Sequence, residues 1–237
     1  RQFDPNQFIV MATRQGTIKK TSLEEFSNPR KSGINAISLA EGDTLIRCTV
    51  TNGNNDIILG TRKGAAIRFP EDKVRGMGRA AAGVKGVTLK KDDYVIDMVV
   101  VKRQSTILSI TENGYGKRTP VADYRITNRG GKGIINIKCT TRNGDVVAIR
   151  EVLDDDELIL MTKGGIANRL AVSSISVIGR NTQGVRLISL KGTDKLTDVA
   201  VVFGSRKTLV ATDGEGENGN GNGDDNGEEI EQQDLNL

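Results

Sequence analysis

Basic side chains return at matching intervals along these 237 residues, and holding phosphate is the chemistry they are best suited to. One group follows a recurring Thr-x-x-Gly: Arg14, Lys19 and Lys20; Arg62, Lys63 and Arg68; Lys117 and Arg118; Lys163 and Arg169. A second group surrounds a later glycine: Arg30 and Lys31; Arg75, Arg79 and Lys85; Arg125, Arg129 and Lys132; Arg180. Guanidinium and ammonium groups make charge-assisted hydrogen bonds to phosphate oxygens, so an ordered row of them is a track for a polyanion. Glycines lie among them, at Gly76, Gly78 and Gly83 and at Gly130, Gly131 and Gly133. Glycine lets a phosphate come close to main-chain N–H groups, although any one of these could simply serve a turn. For the Arg-Gly-Gly-Lys-Gly cluster, Arg129, Gly130, Gly131, Lys132 and Gly133, the phosphate-binding reading is preferred.

Other chemistries are poorly provided for. The chain contains no histidine, which removes Ser-His and Cys-His nucleophile pairs and the commonest transition-metal ligand. No convergent carboxylate pair stands out, so neither a catalytic residue nor a metal site is expected. Cys48 and Cys139 lack metal-ligand spacing and read as two buried, reduced thiols of a cytoplasmic protein. No apolar run approaches twenty residues and no signal-like N-terminus is present, so no membrane association is expected.

The elements that carry the basic groups follow from a fourfold repeat of about fifty residues. Its anchors are Thr13–Gly16, Thr61–Gly64, Thr111–Gly114 and Thr162–Gly165, each preceded by a short apolar run. Four positions past each glycine stands Lys20, Arg68, Arg118 or Arg169. A second glycine recurs at Gly33, Gly83, Gly133 and Gly184 and opens another apolar stretch. Repetition of this period signals a propeller, solenoid or array. The runs are short and rich in Val, Ile and Thr, which reads as strands, and the Gly-bearing turns read as hairpins. Each copy is strand, hairpin, strand, basic loop, strand, turn, strand, with almost no helix expected. A lone four-stranded sheet cannot bury its faces, so the sheets must stack. The fold class is all-β and propeller-like, with blades at about 7–54, 55–104, 105–156 and 157–212.

Charge is unevenly spread. Residues 213–237 hold nine Asp or Glu and no Lys or Arg among Gly and Asn, the composition of a disordered acidic tail. The remainder carries 34 basic against 21 acidic residues, a net of about +13. A body so basic attracts polyanions, nucleic acid first among them. Aromatic residues make up 3% of the chain, too few for the stacking platforms that single strands and RNA need. A basic rim poor in aromatics suits double-stranded DNA gripped by its phosphates without base readout.

The stretches Asn113-Gly114-Tyr115-Gly116-Lys117-Arg118-Thr119 and Gly179-Arg180-Asn181-Thr182-Gln183-Gly184-Val185 resemble the C-terminal domain of the DNA gyrase A subunit. Gly16–Thr21 and Val74–Gly78 fit the same family, and the resemblance runs from residue 7 to about 203. It implies a β-pinwheel of six blades that exchange strands and wrap DNA around the rim with positive handedness. The complete ATP-driven type II topoisomerase then introduces negative supercoils. The family box, Gln-Arg-Arg-Gly-Gly-Lys-Gly with Lys allowed second, is matched over its last five positions by Arg129–Gly133 and missed at Thr127 and Asn128. The family carries that box in its first blade, so the four repeats here resemble the last four of six.

The resemblance further implies two kinds of partner, the gyrase B subunit plus a second A subunit, in an A2B2 enzyme of the bacterial cytoplasm. ATP and Mg2+ would be used elsewhere in that enzyme, and the catalytic tyrosine would lie outside this chain. The alternatives are the equivalent domain of the topoisomerase IV A subunit, or a non-catalytic propeller that binds acidic partners. The acidic tail could compete with DNA for the rim or could only keep the chain soluble.

Overall fold

A computed structural model describes residues 3–102 and 104–204, within a compact unit running from Arg1 to Ser205. The expected acidic tail at 213–237, and the end of the fourth blade from 205 to 212, lie outside the described residues. No α-helix occurs among the described residues. Four short 3-10 turns do: Leu23–Phe26, Glu71–Lys73, Val121–Asp123 and Val172–Ser174.

Each repeat opens with a hairpin. The pairs are β1 (Phe8–Thr13) with β2 (Thr17–Ser22), β4 (Asp56–Thr61) with β5 (Ala65–Pro70), β8 (Thr106–Thr111) with β9 (Tyr115–Pro120), and β12 (Glu157–Thr162) with β13 (Ala167–Ala171). The threonine of each anchor serves its own turn. The hydroxyls of Thr13, Thr61 and Thr162 each accept a bond from the amide four residues on, at 3.2 Å, and that of Thr111 donates to the Tyr115 carbonyl at 3.2 Å. The last strand of each repeat pairs beside the first: β3 (Leu45–Thr51), β7 (Val95–Val101), β11 (Val146–Val152) and β15 (Leu196–Val202).

The third strand of each repeat goes elsewhere. The two-residue strands β6 (Val84–Lys85), β10 (Ile134–Ile135) and β14 (Val185–Arg186) each complete the sheet of the preceding repeat. The sheet orders are therefore β3-β1-β2-β6, β7-β4-β5-β10, β11-β8-β9-β14 and β15-β12-β13. This is the strand exchange that the resemblance implied. The stretch Ile34–Leu39, equivalent to the donated strands, forms no strand, and the fourth sheet shows three strands among the described residues.

The second glycine exists for this exchange. Gly133 has φ +73°, and a Cβ there would stand 2.5 Å from the Ala66 carbonyl oxygen; Gly83 and Gly184 meet the Ile18 and Gly116 carbonyls in the same way at 2.7 Å. Backbone runs against backbone where a repeat joins its neighbour, which no side chain permits.

The core lies between successive sheets. Val10, Ala12 and Ile18 pack on Ile57, Leu59 and Phe69 between the first and second. Ile58 and Val99 meet Ile107 and Ile149 between the second and third, and Leu108 and Ile110 meet Leu158 and Leu160 between the third and fourth. Alternate residues of β4 and β8 thus face opposite neighbours. This is why these strands read as continuous apolar runs rather than as alternating ones. Cys48 is exposed and Cys139 half-buried, both free, which corrects the expectation that both are buried. Cys48 sits on β3 of the first sheet, and no earlier blade covers it among the described residues.

Candidate nucleic-acid interface

The expected phosphate contacts divide sharply once burial is known. Lys19, Lys20, Lys117 and Arg118 are buried, with 0% to 8% of their surface exposed, and cannot present charge to a phosphate. They are corrections to the sequence reading. The cause is that the rim loop of the next repeat lies over the second strand of each hairpin. Gly76, Ile126 and Val177 form isolated parallel bridges to Lys20, Arg68 and Arg118.

The basic residue four positions past the anchor glycine is a latch between blades. Lys20 donates to the Glu71 carbonyl at 3.3 Å, with the buried Glu71 carboxylate 3.9 Å away. Arg68 donates to the Val121 and Tyr124 carbonyls at 2.8 and 3.1 Å and pairs with Asp56 of its own blade at 2.6 Å. Arg118 reaches the Ile175 carbonyl at 2.9 Å and pairs with Asp154. In each case the acceptor belongs to the 3-10 turn of the next repeat or the residue just after it. Arg169 is exposed and pairs with Glu157 of its own blade.

Lys19 and Lys117 tether the rim loops from beneath. Lys117 Nζ donates to the Gly179 and Arg180 carbonyls at 2.6 Å each. Lys19 Nζ donates to the Ala36 carbonyl at 2.6 Å and to the carbonyl of Arg79, the repeat equivalent of Arg180. Burial lowers both ammonium pKa values, that of Lys117 to about 8, and the nearby Arg180 guanidinium adds to the effect. Arg129 and Arg180 also serve the loops, donating to the Lys85 and Ile135 carbonyls at 3.1 and 2.7 Å. Arg79 lies 3.9 Å from the Glu25 carboxylate.

What remains for solvent is a shorter row. Arg30, Lys31, Arg75, Lys85, Arg125 and Lys132 are exposed and have no acidic partner among the described residues. Arg75, Lys85, Arg125 and Lys132 belong to the rim loops and the donated strands, at the sheet edge opposite the inner strands β3, β7, β11 and β15. Beside the box-like cluster a cleft of about 360 Å³ opens between β5 and the loop that carries Arg125, Thr127, Asn128 and Lys132.

Within that cluster the roles separate. Lys132 faces solvent, Arg129 holds Lys73 and Lys85 backbone, Gly133 is required by strand exchange, and the Gly131 carbonyl accepts the Thr88 amide at 2.8 Å. The Gly130 amide donates to the Gly86 carbonyl at 2.6 Å, so it is not open to a phosphate. Gly76 and Gly78, by contrast, have open space where a side chain would stand.

The hairpin ends hold the remaining expected residues. Arg14 lies 3.4 Å over the Tyr94 ring, and Arg62 bonds the Tyr94 hydroxyl at 2.9 Å and Asp145 at 2.7 Å. Lys63 pairs with Asp145 at 3.1 Å. The two cations hold the Asp145 carboxyl below its ordinary range against the opposing effect of burial.

Sequence reasoning did not find the ladder of charge along the inner strands. Arg47 of β3 pairs with Asp97 of β7 at 2.8 Å; Arg150 of β11 pairs with Asp97 and approaches Asp198 of β15 at 3.6 Å. Burial lowers the Arg150 pKa to about 10. Charge inside the otherwise apolar last strand of each repeat (Arg47, Asp97, Arg150 beside Glu151, and Asp198) was its only trace in the sequence.

Comparison with known proteins addresses this arrangement directly. The family model for the DNA gyrase C-terminal domain, a beta-propeller, matches residues 7–52, 55–102, 105–150 and 156–202. The chain belongs to this family. The DNA gyrase A subunit of Salmonella typhimurium strain LT2 is 46% identical over 188 residues, which cover 79% of this chain and 21% of that protein. The protein of the same description from Staphylococcus aureus strain MRSA252 is 46% identical over 199 residues, 83% of this chain and 22% of that one. The chain therefore spans about a fifth of the length of these relatives.

Among solved structures, a DNA gyrase A C-terminal domain aligns with TM-score 0.77 at 27% identity, covering 85% of this chain and 68% of that one. A C-terminal domain of DNA topoisomerase IV aligns with TM-score 0.81 at 25% identity, covering 85% and 64%. The four matched segments of the family model coincide with the four repeats described here.

Proposed function

We propose that this chain is the DNA-wrapping part of the A subunit of a DNA gyrase, bending double-stranded DNA along its rim. The observation that carries the reading is the exposed row Arg75, Lys85, Arg125 and Lys132, without an acidic partner among the described residues, on the outer edge of successive sheets. The net charge of about +13 outside residues 213–237 supports it. Phosphate contacts spread along such an edge hold DNA without reading bases. Smoothly bending 20–30 base pairs by 40–90° costs roughly 1–6 kcal/mol, so several contacts must act together. Positive wrapping would let strand passage by the rest of the enzyme introduce negative supercoils.

In this reading the chain works within an A2B2 assembly, together with the gyrase B subunit plus a second A subunit. ATP hydrolysis, Mg2+ and the DNA-cleaving tyrosine belong to other parts of that assembly. The bacterial cytoplasm, at the nucleoid, is its place of action. No helix among the described residues is long and apolar enough to cross a membrane.

Salt titration of binding to linear duplex tests the proposal. With six phosphates neutralised, affinity should fall by roughly 10³-fold or more between 50 and 200 mM salt. A flat response would overturn it. The higher TM-score to topoisomerase IV favours a second reading, in which the same rim guides DNA for decatenation. Relaxed plasmid religated in the presence of the chain separates the two: a change in linking number favours wrapping as in gyrase.

A further inference from the structure

One cluster of charge follows the repeat only in part. Tyr115 stands where the other repeats have Thr17, Ala65 and Ile166. Arg142 comes from a loop one residue longer than its counterparts: thirteen positions separate Gly133 from Val146, against twelve from Gly33 to Leu45, Gly83 to Val95 and Gly184 to Leu196. Arg186 lies on β14, directly paired with Tyr115. Neither the stacking of blades nor the rim row needs these three residues together.

They converge on one atom. Arg186 Nη2 donates to the Tyr115 hydroxyl at 3.0 Å and Arg142 Nε at 3.3 Å, with the guanidinium carbons 5.5 and 5.0 Å from the ring centre. Both arginines are exposed, and neither has a carboxylate partner among the described residues. The hydroxyl accepts twice and donates to no described residue. Both guanidiniums hold its pKa below the ordinary phenol range.

The cluster borders a cavity of about 340 Å³ also lined by Ser189, Thr193 and Lys195. Asp194, also on the lining, accepts the Gly164 and Lys195 amides through Oδ1 at 2.8 Å each and makes no ion pair with either arginine, and Lys195 pairs with Glu112 at 3.3 Å. Two cations sharing one neutral acceptor leave positive charge uncompensated, and a planar guanidinium pair matches a tetrahedral oxyanion.

We propose that Arg142, Arg186 and the Tyr115 hydroxyl form a discrete seat for a phosphate group at the hairpin end of the third blade. Each guanidinium donates to one phosphate oxygen and the phenol donates its proton to a third. Arg186 occupies the repeat position of Lys85, whereas Tyr115 and Arg142 depart from the repeat, and it is these two that turn the position into a seat of its own. The phosphate could come from a nucleic-acid backbone or from a free phosphate compound, and the two sources share this chemistry.

Calorimetric titration of the whole chain with inorganic pyrophosphate tests the seat with no DNA present. Saturable binding at one site is expected, weakened at least tenfold in Arg142→Gln/Arg186→Gln and unchanged in Lys90→Gln, an exposed lysine outside both the seat and the rim row. No saturable binding by the unaltered chain, or equal binding by the double variant, overturns the proposal. Should the double variant fail to fold, NMR of the Arg side-chain Nε–H signals in the unaltered chain decides. Shifts of Arg142 and Arg186 on adding pyrophosphate support the seat, and unmoved signals overturn it. Repeating the titration with saturating linear duplex assigns the source: competition marks a backbone phosphate, and independent binding marks a free one. A chain that binds pyrophosphate and no DNA would keep the seat while overturning the wrapping proposal.

Discussion

Arg118 Nε donates to the Ile175 carbonyl at 2.9 Å, so a side chain of the third hairpin holds the turn that starts the rim loop of the fourth repeat. The same register in the first and second repeats places Lys20 on Glu71 and Arg68 on Val121 and Tyr124. The regular basic residue is therefore first a joint between blades.

Removing that joint should cost stability where it is made. Arg118→Met leaves a carbonyl without its donor, a loss of about 1–3 kcal/mol. Arg169→Met, whose guanidinium is exposed, should leave the urea midpoint unchanged. Equal midpoints for the two variants would contradict the latch.

The buried Lys117 makes stability depend on pH. Its folded pKa, about 8, lies below the ordinary lysine value. Between the two values the unfolded chain binds more protons than the folded one, so stability rises with pH across that window. Below pH 8 both states are protonated and the penalty of the buried charge is fully present. The stability of the unaltered chain relative to Lys117→Met should thus climb from pH 8 to 10, as followed by denaturant unfolding at each pH.

Charge reversal on the rim should act on DNA and not on folding. Arg125→Glu with Lys132→Glu removes two exposed cations that have no acidic partner among the described residues. Each lost phosphate contact should reduce the log–log salt slope by about 0.9 and weaken binding alike for all sequences. Fluorescence anisotropy on two unrelated duplexes, with thermal melting as the control, measures both effects.

Gly133→Ala should destabilise through the exchanged strand. The left-handed backbone and the Ala66 carbonyl leave no room for a methyl group, so the cost exceeds about 1 kcal/mol. Gly78→Ala, in open space and without a left-handed backbone, should be nearly neutral. Similar melting temperatures for the two would remove the close-approach argument.

The inner ladder gives the largest expected loss. Asp97 is 3% exposed between Arg47 and Arg150, and Asp97→Ala removes the buried carboxylate that the partly buried Arg150 guanidinium pairs with. Breaking such a pair costs about 3–5 kcal/mol. Chemical denaturation of the variant, compared with that of Asp198→Ala at the exposed end of the ladder, reads the difference.

Much of the architecture could be read from the order of residues. Thr-x-x-Gly marked every hairpin because the threonine hydroxyl and the turn glycine act within five residues, and local chemistry is visible locally. Short apolar runs such as Ile57–Leu59 announced strands. The period announced stacking.

The destination of each basic side chain could not be read in this way. Lys19 and Lys132 carry the same ammonium in equally polar surroundings of sequence, yet one lies beneath a loop from the next repeat and the other faces water. The covering chain comes from about sixty residues away, through an exchanged strand. The same holds for Tyr115 with Arg142 and Arg186, and for Arg47 with Asp97. Periodicity fixes which residues are equivalent; packing between repeats fixes which of those equivalents still meet solvent, because desolvation and hydrogen bonding depend on neighbours that chain order does not name.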